Sequence, residues 1–508
     1  MLRRPALLLL LAPVGCFSAS SGGGSPPGFD AAQNDAEFDS GTTPETSVDS
    51  STMDVTVMEA SVDAPVEAGP QPVTVVVTNA AGPEQGVPVV FQQATGAVIA
   101  SATTNAAGMV SQLQPAGVQV TVVLGTATAP SLFTIEQVAP GDTLAVYDPS
   151  ADVTTAQVSV DSWSDAGPSG TASYEVDVGS CSSFGAGPPV VVFLGTSCAV
   201  AGQFPVLVTS FDVNGAVLGY AWQKGNTLPG DGGVAHVAVS GAWSTATDTQ
   251  TVTTDSPPPF ALANSDNGYL GFSAIASGMG MERANTYFGS IGADDGGVTS
   301  PFLYADGFPD FLQSEANVSN YGTSGGNAGV SISAIATRGS SDAGSATTNL
   351  DITQLLPPIQ TASVDSTTNP VQPNVTWDMG DAGSVASADG VVVAFTWSGS
   401  NDGGAFANGR WTIVAPPTAS SAQVPALPAA QAGFGPFAGA FFTTDPAVII
   451  VEASFLPGYA QLRAQAGTVA LTSEFNSNLS YSSSSPIVVP PLPVNGTLRM
   501  TAFTANGD

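Results

Sequence analysis

The sequence predicts an all-β protein, built of tandem antiparallel β-sandwich domains behind a disordered, acidic N-terminal tether. Apolar and polar residues alternate with a period of two, and helical periodicity is nearly absent. Glycine (57 residues) and proline (39 residues) are abundant, and turn dipeptides such as Asn214-Gly215 and Asp389-Gly390 separate the alternating runs. Short strands with this turn chemistry are typical of sandwiches and not of parallel α/β units.

The first residues predict export. Arg3 and Arg4 precede a short apolar run, and small residues lead to Cys16. The run is shorter than the roughly 20 apolar residues that span a bilayer. The arrangement resembles a bacterial lipoprotein signal peptide, although Pro13 stands where that family usually has leucine. The resemblance implies a signal peptide over residues 1–15 and lipidation of Cys16. The alternative is an ordinary secretory signal that is cleaved near residues 18–20.

Residues 16–70 predict the tether. This segment is rich in Ser, Gly, Thr and Pro, carries scattered acidic residues and contains no Lys or Arg. Its apolar surface is too small to offset the entropy of ordering, so we expect it to be disordered and extended. Phe17 rather than Asp follows the cysteine, which by analogy with Gram-negative lipoproteins implies an outer-membrane lipoprotein of the cell envelope. A periplasmic or secreted protein is the alternative.

Residues 71–148 predict the first sandwich. Apolar side chains fall on one face of three strands, at Val73, Val75 and Val77, at Val87, Val89 and Phe91, and at Val118, Val120 and Val122. Residues 82–91, 103–108 and 117–122 together resemble carboxypeptidase-regulatory-like or bacterial Ig-like repeats, which are sandwiches of the transthyretin type. The resemblance implies a rigid module of exported proteins and no chemistry.

Residues 149–355 predict a β-rich region without resemblance to a known family. Tyr174, Val176 and Val178 alternate with acidic residues, a hairpin is expected over residues 205–220, and a proline run near residue 257 predicts an internal boundary. Cys181 and Cys198 flank an apolar strand. In an oxidising compartment two such cysteines are expected to form a disulfide, with two reduced, buried thiols as the alternative.

Residues 356–508 predict the last sandwich. Residues 373–377, 391–397 and 410–416 resemble fibronectin type III strands, in which an early tryptophan packs between the sheets. One short helix is expected near residues 458–465, where the period of two is broken.

The charge balance limits the partners. Eight Lys and Arg against 41 Asp and Glu give a net charge of −33. Such a field repels phosphate backbones and anionic headgroups, which excludes nucleic acids and polybasic docking to membranes. A membrane is then reached through the lipid anchor, and a polysaccharide or a surface protein is the expected ligand.

Few residues can support catalysis. The single histidine, His236, is expected on the solvent side of a strand, and Ser324 lies in a Gly-x-Ser-x-Gly sequence without the strand and helix of a nucleophile elbow. No catalytic site and no cofactor are therefore expected. Carboxylates remain: Asp294 with Asp295, or Asp306 with Asp310, leave glycoside hydrolysis open.

Acidic turns are weak candidates for calcium. Their members are Asp212, Asn214, Asp266, Asp294 and Asp295. Oxygen ligands on tight turns suit Ca²⁺, but none of these turns has EF-hand spacing, and type I′ hairpin turns explain the same residues without an ion. The leading hypothesis is a non-enzymatic envelope protein for adhesion, ligand capture or surface architecture. The rivals are a carbohydrate-binding protein that uses tryptophans as stacking platforms and a carboxylate-dependent polysaccharide hydrolase.

Overall fold

The computed structural model describes residues 71–505 except 80–81, 149–155, 165–166, 179–180, 195–202, 228–232, 255–266, 277–279, 288–298, 322–327, 340–345, 381–384, 386, 401–403, 405, 443–445, 466 and 468–494. The predicted signal peptide and tether lie outside these residues. Everything below concerns the described residues of the unit Glu67–Asp508.

The fold is all-β, as predicted, and its first eight strands lie in the first predicted sandwich. They are β1 (Gln71–Asn79), β2 (Gly82–Pro83), β3 (Pro88–Gln92), β4 (Val98–Thr103), β5 (Met109–Gln114), β6 (Val118–Thr126), β7 (Ala129–Val138) and β8 (Thr143–Tyr147). The alternating valines of β1, Val73, Val75 and Val77, are fully buried on one face. The period of two therefore places one strand face in the core, as the sequence predicts.

The middle region contributes fourteen described strands. They are β9 (Ala156–Trp163), β10 (Ser173–Val178), β11 (Cys181–Gly185), β12 (Val190–Leu194), β13 (Gln203–Phe211), β14 (Val217–Thr227), β15 (Val234–Val239), β16 (Thr247–Thr254), β17 (Asn267–Ala276), β18 (Gly280–Tyr287), β19 (Thr299–Ala305), β20 (Phe311–Tyr321), β21 (Ala328–Gly339) and β22 (Ala346–Leu350). A 3₁₀ turn, Ile352–Gln354, follows them.

The last region contributes eight described strands and one helix. They are β23 (Thr361–Asp365), β24 (Asn374–Asp378), β25 (Gly390–Ser400), β26 (Phe406–Ala415), β27 (Ser421–Gln423), β28 (Phe441–Phe442), β29 (Ala447–Ala453), α1 (Tyr459–Ala464) and β30 (Thr497–Ala505). Helix α1 lies where a short helix was expected, near residues 458–465.

One long sheet contains strands of the first, the middle and the last region. Its order is β18-β17-β20-β21-β30-β29-β25-β26-β7-β6-β3-β4, with β28 beside β25. Its strand pairs are antiparallel except β26 and β7, which pair in parallel from Arg410 opposite Ser131 to Val414 opposite Ile135. Smaller sheets cover its faces: β2-β1-β5 with β8, β19-β16-β22, and β23-β24-β27. A separate sandwich in the middle region packs β12-β9-β15 against β11-β10-β13-β14.

The boundaries of the cores differ from the predicted domains. One core joins Val75 and Leu144 to Val392 and Met500, so residues 71–148 and 356–508 share it. The parallel pairing of β26 with β7 joins the two regions around this one core. The two strands are far apart in the sequence, so no local pattern of residues predicts that they pair. In the middle region the core changes between Trp243 and Val252, upstream of the boundary predicted near residue 257.

A buried chain of hydrogen bonds also crosses the junction between β26 and β7. The Trp411 Nε1–H donates to Thr134 Oγ1 at 2.8 Å, and the Thr134 and Thr121 hydroxyls are 2.8 Å apart. Gln92 Nε2 donates to Thr121 Oγ1 at 3.1 Å and to the Ala426 carbonyl at 3.3 Å. Each of these buried polar groups has a hydrogen-bond partner. This row of hydrogen bonds therefore fixes the register of four adjacent strands, β26, β7, β6 and β3.

Helix α1 is held by polar contacts at both of its ends. The buried carboxylate of Asp389 accepts hydrogen bonds from the backbone N–H of Ala453 (2.6 Å) and of Gly458 (2.5 Å), at the start of the helix. Arg463 donates two hydrogen bonds to Asp142, with Nε to Oδ2 at 2.6 Å. The Asp142 contact ties the last region of the chain to the first.

Candidate functional site

An exposed polar and aromatic face is formed where β25, β26 and β28 lie side by side. Ser400 pairs with Phe406, Ser398 with Asn408, and Thr396 with Arg410, while Phe441 pairs with Ser398 from the other side. Residues that are directly opposite in a sheet, or two apart along a strand, share a face. These seven residues therefore form one surface, which we call the β25–β26 face: Thr396, Ser398, Ser400, Phe406, Asn408, Arg410 and Phe441.

The reverse side of the same strands is packed with aromatic rings. Trp397 lies on Gly409 of the neighbouring strand, where any Cβ would overlap the indole ring. The Trp397 and Trp411 rings are 6.3 Å apart between centroids, and Phe395 and Phe442 are also 6.3 Å apart. This buried layer holds the strands rigidly, so the exposed side chains on the other side are presented by a fixed scaffold.

Two phenylalanines stand out from the β25–β26 face. The Phe406 side chain is 61 % exposed and the Phe441 side chain is 76 % exposed. They lie on either side of β25 and are offset by two residues, which puts their Cα atoms about 12 Å apart from standard strand spacings. Ser398, Ser400 and Asn408 supply hydroxyl and amide groups between them. Exposed rings above a polar floor are typical of a binding surface.

Arg410 brings a positive charge to the inner end of this face. Burial lowers the pKa of its guanidinium to about 10, yet its side chain remains half-buried and reachable by solvent. Although the backbone of Arg410 belongs to the sheet, its guanidinium forms no hydrogen bond or ion pair with another residue that the structure describes. A desolvated guanidinium without a protein carboxylate is a good partner for a carboxylate that arrives with a ligand.

The only histidine lies on the solvent side of its strand, as predicted. His236 in β15 is exposed, and its Nδ1 is 2.8 Å from Asp161 Oδ2. Ser159 donates to the other oxygen of Asp161 at 2.5 Å. The hydrogen bonds from Ser159 and then from His236 lower the pKa of Asp161. Both side chains are hydrogen-bonded to the Asp161 carboxylate, and within the described residues no hydrogen bond joins His236 to Ser159 as one joins base and nucleophile in a catalytic triad.

The described calcium candidates form an ordinary hairpin turn. Asp212 Oδ1 accepts hydrogen bonds from the backbone N–H of Asn214 and of Ala216, both at 2.8 Å. The bond from Ala216, followed by that from Asn214, lowers the pKa of Asp212. Within the described residues no group of three or more metal-ligating side chains occurs. Asp266, Asp294 and Asp295 lie outside the described residues.

The remaining predicted residues are only partly described. Cys181 begins β11 and is disulfide-bonded, whereas Cys198 and Cys16 lie outside the described residues, so the predicted Cys181–Cys198 pairing stays a prediction. Ser324 also lies outside them. Asp310, a carboxylate considered for hydrolysis, contacts Lys224 with Oδ1 at 3.0 Å from Nζ.

The tryptophans do not form stacking platforms. Trp163, Trp377, Trp397 and Trp411 are buried, and Trp222 and Trp243 are half-buried against other rings. Among the described side chains the exposed rings belong to phenylalanines, which sequence reasoning missed. Phe406 precedes the buried Ala407 in β26, so a phenylalanine on the polar side of an alternating strand was the available indication for this residue. The two-residue strand β28 gives no such indication for Phe441.

A shallow cavity of about 180 Å³ lies between β24 and the segment after β26. Trp377, Met379, Pro417 and Ile450 line it, and the Asp378 carboxylate beside it accepts the Gly380 N–H at 2.9 Å. Pockets for drug-sized ligands are roughly 300–1,000 Å³, so this cavity is too small to enclose one.

No protein-family model matches the chain, and no curated protein matches it in sequence. Three solved structures share 9–10 % identity with it: the TIE protein of Bacillus anthracis, a candidate cell adhesion protein of Bacteroides eggerthii, and the pilus adhesin SpaC of Lactobacillus rhamnosus. The matches cover 49 %, 57 % and 68 % of this chain, and 45 %, 89 % and 43 % of those chains.

Their TM-scores are 0.13, 0.15 and 0.12, which carries no argument about function. The chain spans less than half the length of the TIE protein. Among the described residues no helix has the length and apolarity needed to cross a membrane.

Proposed function

We propose that this protein is a non-enzymatic, lipid-anchored protein of the cell envelope that captures a polysaccharide on the β25–β26 face. The observation that carries the proposal is the pair of exposed rings, Phe406 and Phe441, above a floor of serine and asparagine side chains. Sugar rings have apolar C–H faces that stack on aromatic rings, and their hydroxyls exchange hydrogen bonds with hydroxyl and amide groups.

Arg410 defines the expected chemistry of the ligand. Its guanidinium would form a charge-assisted, bidentate contact with the carboxylate of an acidic sugar. The net charge of −33 opposes a densely charged polymer, because long-range repulsion acts against each further anionic group. The ligand is therefore a largely neutral glycan with isolated carboxylate-bearing sugars.

Lipidation of Cys16 is supported by the sequence alone. The apolar run ends at Gly15-Cys16, and a long acidic segment follows it. Several acyl chains on one residue give stable membrane attachment, whereas one chain gives only marginal binding. Mass spectrometry of the N-terminus of the native protein should find a diacylated or triacylated Cys16. An unmodified residue beyond Cys16 would remove the anchor from the proposal and leave the binding site unaffected.

Binding is tested with purified protein on a glycan array that contains neutral and carboxylate-bearing polysaccharides. Titration calorimetry then measures the affinity for the best oligosaccharide. We expect Phe441→Ala and Phe406→Ala each to weaken binding about tenfold, because each substitution removes one ring and the apolar surface that it buries against the sugar. Arg410→Gln should reduce the preference for the acidic over the neutral glycan.

Phe184→Ala is the matched control, because Phe184 is similarly exposed but lies on β11, in another sandwich. Its affinity should equal that of the unmodified protein. The proposal fails if no glycan binds, or if Phe441→Ala and Phe406→Ala bind as tightly as Phe184→Ala does.

Hydrolysis is the competing function for an exported polysaccharide-binding protein. The seven residues of the β25–β26 face include no carboxylate, whereas glycosidic cleavage uses a pair of them about 5–10 Å apart. We therefore expect the bound oligosaccharide to be recovered intact after prolonged incubation. His236→Ala and Ser324→Ala should leave the affinity unchanged, and loss of a measured turnover in either variant would contradict the non-enzymatic proposal.

A further inference from the structure

Among the residues that the structure describes, two strands at one end of the first sandwich have no neighbour on their outer side. β4 is the last strand of the long sheet, and its described partner is β3. β5 is the last strand of the covering sheet, and its described partner is β1. They follow each other through a short turn in which Asn105 and Met109 are joined by a backbone hydrogen bond of 2.9 Å. Both sheets therefore end on the same side of the sandwich.

This sandwich edge exposes apolar side chains. Val98 and Ile99 of β4 are 39 % and 42 % exposed, and Met109 and Leu113 of β5 are 39 % and 66 % exposed. Neither strand contains a proline or a charged residue, which are two of the devices that usually block edge-to-edge pairing. β4 has one bulge, at Ile99 near its start, and its pairing with β3 is regular from Ala100 to Thr103. An open strand of this kind accepts a further strand through its free backbone groups.

The edge is also free of charge in a very acidic chain. Residues 85–135, which include β3 to β6, contain no Asp, Glu, Lys, Arg or His, and this is the longest such run in the sequence. By contrast, the outer strand β11 has Glu175 and Asp177 on the strand beside it, opposite Phe184 and Ser182. Two copies that each carry −33 charges repel least when they approach through a neutral surface.

We propose that β4 pairs edge to edge with β4 of a second copy of this chain, in an antiparallel, two-fold arrangement that continues the long sheet across both molecules. The occupant is a second copy because the neutral edge is where two such acidic molecules can meet. A two-fold interface of this kind is closed, since each copy uses its β4 edge once. Strands of six residues form a small interface, so association depends on concentration.

Sedimentation velocity of the Cys16→Ser variant tests this proposal. Serine at residue 16 carries neither the lipid nor a free thiol, so neither can cause association. The expected result is a monomer–dimer equilibrium in which the dimer fraction rises between about 10 and 200 µM protein. It should rise again from 20 mM to 500 mM NaCl, because salt screens the repulsion between the copies. Chelation of divalent cations should change neither result.

Ile99→Glu and Ser101→Glu place a carboxylate on the β4 edge of both copies and should shift the protein to monomer. Phe184→Glu is the matched control: it adds the same charge to an exposed position of another outer strand and should dimerise as before. Circular dichroism verifies that each variant is folded. In a separate variant, Ser101→Cys should give a covalent dimer on mild oxidation, whereas Phe184→Cys should not.

A chain that stays monomeric at 200 µM in 500 mM NaCl overturns the proposal. Equal dimerisation of Ile99→Glu, Ser101→Glu and Phe184→Glu also overturns it, because association would then use another surface. A dimer that dissociates on addition of salt would indicate ionic contacts and would likewise contradict pairing through the neutral edge.

Discussion

At the scale of single residues, a few buried carboxyl groups carry much of the specificity of this fold. Asp389 is buried and accepts two backbone hydrogen bonds where β29 leads into α1. Glu136 in β7 is largely buried beside Tyr459, whose hydroxyl donates to the Glu136 backbone carbonyl at 2.7 Å. The chain has 41 acidic residues, and charged side chains of this kind are mostly exposed to solvent. The buried acidic residues are therefore the informative exceptions.

We expect Asp389→Ala to destabilise the protein by about 3 kcal/mol, because the buried N–H of Ala453 and the partly buried N–H of Gly458 lose a charged acceptor. Asp389→Asn should cost less, since its amide oxygen can still accept one of the two bonds. Denaturant unfolding at pH 7 measures both losses. Asp212→Ala is the control: Asp212 also accepts two backbone N–H groups, but it is exposed, and water replaces it. Equal losses for Asp389→Ala and Asp212→Ala would contradict this account.

Glu136 makes stability depend on pH. Burial raises the pKa of Glu136 from 4.5 to about 7, so the folded state holds a proton that the unfolded state releases between these values. The stabilisation is complete below pH 4.5 and is lost as the pH rises to about 7, a difference on the order of 3 kcal/mol.

The comparison with Glu136→Gln isolates this contribution from that of the other acidic residues. The stability of the unmodified protein relative to Glu136→Gln should fall between pH 4.5 and 7 and stay constant above pH 8. Glu175→Gln, on a strand of another sandwich, serves as the control. A parallel pH profile for the unmodified protein and Glu136→Gln would show that Glu136 does not hold the proton.

At the scale of elements, the period of two explains both faces of β25 and β26. Alternate residues build the ring layer around Trp397 and Trp411 on one side and the β25–β26 face on the other. The sequence predicts these strands, and Trp377, in the first of the segments that resemble fibronectin type III strands, is buried. The sequence does not predict where one side of these strands is left exposed to solvent. That exposure depends on how far the sheet that covers them extends.

We expect Gly409→Ala to destabilise this pair of strands by about 2–3 kcal/mol, because a methyl group would displace the Trp397 ring that lies on the glycine. Tryptophan fluorescence and thermal unfolding both report the change. Gly433→Ala is the matched control, since a Cβ at Gly433 meets nothing within 4 Å. Similar effects of the two substitutions would show that Trp397 can move aside.

At the scale of the whole molecule, the long sheet makes the first and last regions of the chain one cooperative body. Their shared core and the Arg463–Asp142 contact join residues that lie several hundred positions apart. The sandwich of β9 to β15 has its own core and meets its neighbour through a small cluster around Leu207, Tyr220 and Phe308. It should therefore unfold more independently than the first and last regions do.

Val75→Ala in β1 tests this cooperativity. We expect it to cost about 2 kcal/mol and to reduce hydrogen-exchange protection in β25 and β29 as much as in β1, because all of them line the same core. Val176→Ala, at an equally buried position of β10, should leave β25 protected. Unchanged protection of β25 in Val75→Ala would mean that the first and last regions unfold separately.

The sequence by itself determined the all-β class, the strands and most of the inward-facing residues, including Val73, Val120 and Val176, which are all fully buried. These follow from local geometry, since residues two apart in a strand share a face. It also placed His236 on the solvent side. The composition alone determined the net charge of −33. This charge in turn determined which classes of partner the protein repels.

Only the tertiary structure decided which strands became neighbours. The pairing of β26 with β7 and the contact of His236 with Asp161 join residues that are distant along the chain. The same is true of the placement of Phe406 and Phe441 on either side of β25. Backbone hydrogen bonds are alike for every pair of strands. The choice among pairings therefore depends on the apolar surface buried by the whole core, which no local stretch of sequence contains.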